Sequence, residues 1–459
     1  MLVPTESTFS HCAILDNFSY LGQPQQFLTK LLPAAIIAAC TTTPAHATNW
    51  LMLQGTEPAD QAPRAKLWGF VQLDYQHTDD TKLKAGPGKG KPAAFNQMAP
   101  QLDSASGFNV KRARIGVRGN NLPLDKKVNY FLLAEFGNNG ITTGKGASQG
   151  QLTDASVTLN YIPGARVRAG LFKTPGSEEG LQAAFVANYI NFSNATDRLL
   201  LERDFEYESG NTERDGPVGA FRDTGVQVFD TFNLGGWDTS YAVMIGNGSG
   251  LAVTNNNGDM DTYLYASTEK VFGDSKGPRR QGFKLYAWNQ SGKRDYNDGT
   301  PTSPGTEQSQ NRTRSGVGTT FFNGKYRMAA EYIMADGMIY GGTSGARTPD
   351  DGGTFSVLPD QKADGYYVSL GYRPISTVEL DVRYDKLNSA TDKNGTGGAN
   401  AERVFETTTL GAQYFFNKKT SLKANYEIRS VDAPNSNDTV NDILDSIDNR
   451  ISVQLTAVF

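Results

Sequence analysis

The stretch NRISVQLTAVF, residues 449–459, alternates without a break. Ile451, Val453, Leu455, Ala457 and Phe459 share one parity, and Ser452, Gln454 and Thr456 share the other. Successive strand side chains point to opposite faces, so this is a strand with one apolar and one polar face. It finishes on an aromatic, and no soluble core to receive that aromatic is evident nearby. The same division recurs through the chain. KLWGFVQLDYQ (66–76) sets Leu67, Val71, Leu73 and Tyr75 against Gln72, Asp74 and Gln76. LTDASVTLNY (152–161), TVELDVRYD (377–385) and TTTLGAQYFF (407–416) behave alike.

About sixteen such segments are expected, starting near residues 66, 108, 127, 152, 166, 223, 237, 261, 282, 312, 325, 364, 377, 405, 420 and 450. An even count suits a closed antiparallel barrel of the bacterial outer membrane. Short turns, such as IPGA after Tyr161 and NKK after Phe416, alternate with long connections. The long ones run over 78–106, 137–151, 173–222, 246–260, 291–311, 336–363, 387–404 and 430–449. Short periplasmic turns and long external loops are how such barrels are built, whereas a soluble sandwich has no reason to gather its long loops at one end. Tyr161, Trp237, Tyr326, Tyr372, Phe416 and Phe459 lie on apolar faces beside short turns. Tyr75, Phe136, Tyr332, Tyr384 and Tyr426 lie beside long loops. They predict two interfacial girdles, with Phe459 in the periplasmic one and readable by the barrel-insertion machinery.

Composition agrees. The 459 residues are 38% hydrophobic, and mean hydropathy is -0.46. No run in the body of the chain approaches the ~20 apolar residues of a membrane helix. A barrel gives this profile because every second strand residue faces water. The net charge of -4 argues against a nucleic-acid partner.

Lys30, the apolar LLPAAIIAAC (31–40) and TTTPAHA (41–47) follow the plan of a secretory signal. Residues 1–47 are therefore read as a signal segment cleaved after Ala47, with a true start near Leu28. The alternative is a lipoprotein box with Cys40 lipidated. Residues 48–64 are expected to be a short periplasmic segment and 65–459 the barrel. Cleavage after Ala47 removes Cys12 and Cys40, and with them disulfides, thiolate metal sites and attached haem. His77 alone remains of 3 histidines, with no nucleophile motif beside it. No metal, no cofactor and no enzymatic activity are expected.

The polar faces point into the lumen. In GFNVKRARIGVRG (107–119) the parity turns Arg112, Arg114 and Arg118 inward, and in RVRAGLFK (166–173) it turns Arg166 and Arg168 inward. Arg312 and Arg314 share a face, and Lys173 and Arg222 flank the longest loop. Arginine is a permanently charged fork suited to phosphate and carboxylate. Arg112, Arg114, Arg118, Arg166, Arg168, Lys173, Arg222 and Arg314 are thus the candidate pore-lining residues. The loop 173–222 is too long for a surface connection and carries apolar residues unfit for free solvent, so it is expected to fold into the lumen and narrow it.

KRARIGVRG, LTDASVTLNY, VRAGLFKTPGSEEGL, RLLLERDF, RDTGVQVF, VMIGNGSG, AAEYIMAD, VELDVRYDKL and LGAQYFFNKKTSLKANYE resemble the phosphate-selective porin O and P family over about 65–459. The resemblance implies a sixteen-stranded outer-membrane barrel, a homotrimer, an inward constriction loop and a basic path for small anions, phosphate among them. One departure stands out: acids outnumber bases nine to five in 173–222, the reverse of a tight phosphate trap. Two alternatives stay open. One is a general or sugar-permeable diffusion porin, with Phe131 and Phe172 stacking on sugar rings. The other is a plugged structural or adhesive barrel.

Overall fold

Alternation alone builds most of what is seen. The computed structural model describes residues 50–52, 64–98, 104–120, 125–139, 142, 150–202, 220–251, 258–273, 279–297, 306–341 and 356–459. The expected signal segment, its cleavage after Ala47, the start near Leu28, Cys12 and Cys40 lie outside the described residues, as does most of 48–64. Contacts divide the chain into Met1–Thr43 and Pro44–Phe459, and every described residue lies in the second unit.

The strands are β1 (Lys66–His77), β2 (Ser106–Asn120), β3 (Val128–Glu135), β4 (Gln151–Leu159), β5 (Arg166–Lys173), β6 (Arg222–Leu234), β7 (Trp237–Gly246), β8 (Asp261–Val271), β9 (Gly282–Asn297), β10 (Glu307–Phe322), β11 (Tyr326–Asp336), β12 (Ile339–Gly341), β13 (Ser356–Leu358), β14 (Lys362–Ile375), β15 (Val378–Ser389), β16 (Arg403–Phe415), β17 (Thr420–Asp432) and β18 (Arg450–Val458). Sixteen of them form one closed antiparallel barrel, with β18 pairing back onto β1. The pair β12–β13 stands apart as a small hairpin in the connection between β11 and β14, which the sequence reading did not separate out. Each expected start falls on or within a few residues of a barrel strand.

The usual distribution of polarity is inverted. Gln72, Asp74 and Gln76 of β1 are buried on the inner face, while Leu67 and Leu73 are exposed on the outer one. Ile115, Val226, Leu285, Leu410 and Leu455 continue that outer apolar surface around the barrel. So wide an apolar surface is not compatible with water, but it is what a hydrocarbon solvent requires of a closed barrel. Tyr161, Tyr326, Phe416 and Phe459 are exposed at the short-turn end, and Phe136, Tyr332 and Tyr426 at the long-loop end.

Closure depends on one glycine. The Phe459 N–H donates to the Gly69 carbonyl (3.0 Å), and the Gly69 N–H donates to the Phe459 carbonyl (3.4 Å). A Cβ at residue 69 would lie 2.4 Å from Cζ of Phe459, so only glycine leaves room for that ring. A bulge sits nearby: Gln72 pairs with Arg112 but Leu73 pairs with Val110, which leaves Lys111 as the extra residue of β2.

Two short helices were not expected from the sequence. Helix α1 (Glu178–Leu181) lies in the longest loop. Helix α2 (Asp438–Leu444) starts where the Asn437 side chain accepts from the Val440 N–H (3.1 Å). Its Ile443 packs with Leu83 and Phe95, so two long loops share a small apolar core instead of lying free in solvent.

Candidate functional site

The connection from β5 to β6 turns inward at once. Its described residues, 174–202, touch inner-face side chains of β1, β2, β9, β10, β11, β15, β16 and β17, and so cross the lumen. A backbone taken away from water must find new partners, and the barrel wall supplies them with cations. Lys173 donates to the carbonyls of Gly180, Leu181 and Gln182 (2.8, 3.2 and 2.8 Å). Arg279 donates to Val186 O (3.1 Å), Lys423 to Ala187 O, and Lys111 to Ile190 O (3.1 Å). Arg383 reaches Asn191 O (3.1 Å) and Phe192 O (3.2 Å), and Arg314 reaches Leu199 O (2.8 Å).

Wall carboxylates hold the segment's amides. Asn188 donates to Glu379 (2.9 Å) and Asp381 (2.8 Å), and Asn194 to Asp385 (2.7 Å). Ser177 Oγ donates to Glu331 (2.9 Å), which also accepts from Trp288 and Tyr367.

The acids of the segment are tied to the same wall. Glu178 pairs with Lys284 and accepts from the Trp50 indole (2.8 Å), Glu179 pairs with Arg383 (3.0 Å), and Glu202 pairs with Arg312. Burial pushes the Glu202 carboxyl up, but Arg312 and Arg314 outweigh it and hold the group below its ordinary value. The acid excess in the sequence therefore does not place bare carboxylates at the constriction among the described residues. Asp204, Glu206, Glu208, Glu213, Asp215, Arg203 and Arg214 lie outside the described residues. Leu51 and Met52 are buried in the same apolar cluster as Leu181 and Leu199.

A cavity of about 160 Å³ opens against residues 178–192. Its wall brings together four of the eight candidate residues: Arg112, Arg114, Lys173 and Arg222. Arg112 donates to Gln72 (2.8 Å), Arg114 to Glu135 (2.6 Å) and Arg222 to Asp154 (3.1 Å). Opposite stand Arg279, Arg280, Lys284, Arg327 and Arg383. Nine basic side chains thus face three carboxylates, Glu178, Glu179 and Glu269. Arg279, in the turn before β9, is pushed down to about 9 by burial and by Arg327, and so stays charged at neutral pH.

The other four candidates lie elsewhere. Arg118 lies over the Trp68 ring (5.9 Å) in a second cavity. Arg166 stands 3.5 Å from Asp230. Arg168, 1% exposed, is stacked on Phe172 (5.4 Å) and Phe229 (4.5 Å). Arg314 is 0% exposed and binds the Leu199, Gly337 and Met338 carbonyls. Parity gave these residues their inward direction but could not show what would cover them. Phe172, considered for sugar stacking, is buried against Met244 and Tyr263.

Lys111, Lys284, Arg279, Arg280 and Lys423 were missed. Strict parity turns Lys111 outward, and the bulge turns it in. Arg279 and Arg280 sit in a turn, where parity says nothing.

His77 has Ser106 Oγ at 2.5 Å, with Asp79 at 3.8 Å. The second separation exceeds a hydrogen bond, and the Asp79 side chain is 86% exposed. Nothing there orients a nucleophile.

A family model described as phosphate-selective porin O and P matches residues 93–459. No curated protein sequence matches the chain. Among solved structures, the chain is similar to an anion-selective porin from Comamonas acidovorans, with a TM-score of 0.52 at 13% identity over 87% of this chain and 100% of that one. It is similar to the outer membrane channel DcaP of Acinetobacter baumannii, with a TM-score of 0.50 at 16% identity over 89% and 100%. It is also similar to Salmonella typhi OmpF in complex with daunomycin, with a TM-score of 0.50 at 14% identity over 86% and 97%. At these identities the likeness concerns the fold.

Proposed function

Because this chain belongs to the phosphate-selective porin O and P family of outer-membrane porins, we propose that it conducts small anions by passive diffusion through the constriction made by residues 174–202. The observation that carries this reading is the excess of basic side chains around the lumenal cavity, nine against three. In a narrow channel walled by low-dielectric protein, a few like charges set the local potential and raise the counter-ion concentration. Carboxylates in external loops face bulk water, where salt screens them beyond about 10 Å at 0.1 M.

Selectivity for phosphate over other small anions has less support. Arg114 and Arg222 already hold Glu135 and Asp154, and Lys173 gives its donors to three carbonyls. The wall supplies potential more than a ready-made cradle for a tetrahedral anion. Phosphate enters this reading as one solute among small anions. The partners it implies are outer-membrane lipids, two further copies in a homotrimer, and the insertion machinery acting through Phe459.

The test is the reversal potential of the purified protein in a planar bilayer across a potassium chloride gradient. Wild type is expected to favour chloride. Arg112→Gln, on the cavity wall, is expected to lower the chloride-to-potassium permeability ratio roughly twofold. Arg168→Ala is expected to leave the ratio as it is while lowering the temperature at which the barrel unfolds, because its charge is covered by two rings and does not line the cavity. Cation preference in the wild type overturns the reading.

A plugged structural barrel is the second reading. The burial of Leu51, Met52, Leu181 and Leu199 within the barrel favours it. Liposomes that do not swell in permeant solutes would support it.

A further inference from the structure

A second cavity, of about 470 Å³, lies at the short-turn end. Lys66, Val458 and Phe459 border it at the rim, and Leu181, Ala183 and Phe185 close it toward the constriction. In bacterial outer-membrane barrels the short turns face the periplasm, so a solute leaving the constriction would meet this cavity next. Trp50, Arg114, Lys173 and Arg222 line both this cavity and the first one.

Six aromatic side chains line it: Trp68 and Phe70 of β1, Phe131 of β3, Phe185 of the inward segment, Trp50 and Phe459. Trp68 stacks with Phe131 at 5.8 Å and with Phe70 at 6.5 Å, and Phe185 meets Phe70 edge-on at 5.2 Å. Two guanidiniums lie over these rings, Arg118 at 5.9 Å from Trp68 and Arg114 at 5.6 Å from Phe70. Six basic residues line this cavity against a single acidic side chain, Asp154, which Arg222 holds at 3.0 Å. The Trp68 indole N–H is buried and has no acceptor among the described residues.

Each feature narrows the solute. Inorganic anions can use the charge but gain nothing from the rings. Neutral sugars can stack but gain nothing from six cations. The indole N–H is a donor only, so it wants an acceptor oxygen. Rings and cations side by side, with a donor lacking an acceptor, match a molecule that has a flat apolar body and an anionic head.

We propose that this cavity is a subsite for small aromatic carboxylates, with the ring lodged among Trp68, Phe70 and Phe131 and the carboxylate directed to Arg114, Arg118 and the Trp68 N–H. The proposal rests on the reading of the lumen as an anion path and names one solute class for it.

The test uses chloride current through the purified wild-type protein in a planar bilayer, with benzoate or acetate added to both sides. Benzoate is expected to reduce the current at about a tenfold lower concentration than acetate. Trp68→Leu and Phe131→Leu are each expected to shrink that gap to about threefold or less. Should Trp68→Leu fail to assemble, Phe131→Leu and the wild-type comparison still decide. Equal potency of benzoate and acetate in an anion-selective wild type overturns the subsite and leaves the channel reading standing. A tenfold gap that persists in the variants also overturns it. Cation preference, or no current at all, before any carboxylate is added overturns the channel reading and the subsite with it.

Discussion

At the scale of single residues, Glu202 shows how the constriction is held. It lies outside the strands, buried, at the far end of the described inward segment, and pairs with Arg312 and Arg314 of β10. Its folded pKa is lowered, so its contribution to anchoring is complete above the ordinary glutamate value of about 4.3 and is lost as pH falls through the lower folded value. Single-channel conductance is therefore expected to stay constant from pH 8 down to about 5 as far as this anchor is concerned, and to change only in stronger acid. Glu202→Gln is expected to show the acid-type conductance already at neutral pH. A wild-type change centred near pH 6 would mean that another group controls the segment. The inward Arg314 was legible by parity. Its role in holding Leu199 was not, because a carbonyl acceptor leaves no mark on the residue type that offers it.

At the scale of elements, the meeting of β1 and β18 is the joint that closes the barrel. Its register sets Phe70 against Val458 and carries on to His77 against Ile451. The Phe459 ring fits only because residue 69 has no side chain. Gly69→Val is expected to displace the ring and sharply lower the yield of heat-modifiable folded barrel. Phe459→Ala in the same background is expected to recover part of it by making room. No recovery would show that Gly69 matters for its contact with the Arg114 carbonyl, at 2.3 Å from the same Cβ position, more than for the ring.

This joint also shows what a sequence can reveal. The alternation of residues 451–459 specifies the strand and its lipid face directly, because a one-residue slip would turn every side chain over. The bulge at Lys111 shows the opposite. One extra residue breaks the parity, and the sequence VKRAR does not announce where. Helix α2 escaped notice for a related reason: seven residues within a polar loop carry too little periodicity to stand out.

At the scale of the whole molecule, the barrel wall and the inward segment form one electrostatic system. The strands supply cations on their inner faces, and much of that charge is engaged by carbonyls and carboxylates of residues 174–202. What remains at the cavity surface is an excess of basic side chains, nine against three acids. The segment is thus both the load that the cations carry and the device that brings them near a passing ion. The measurement that tests this most directly is single-channel conductance, recorded with reversal potential, after residues 183–192 are replaced by a short glycine-serine link. The account predicts a larger conductance together with a weaker preference for chloride, because the lumen widens and its cations stand farther from the ion. An unchanged conductance with unchanged selectivity would place the segment outside the conducting path and contradict the account.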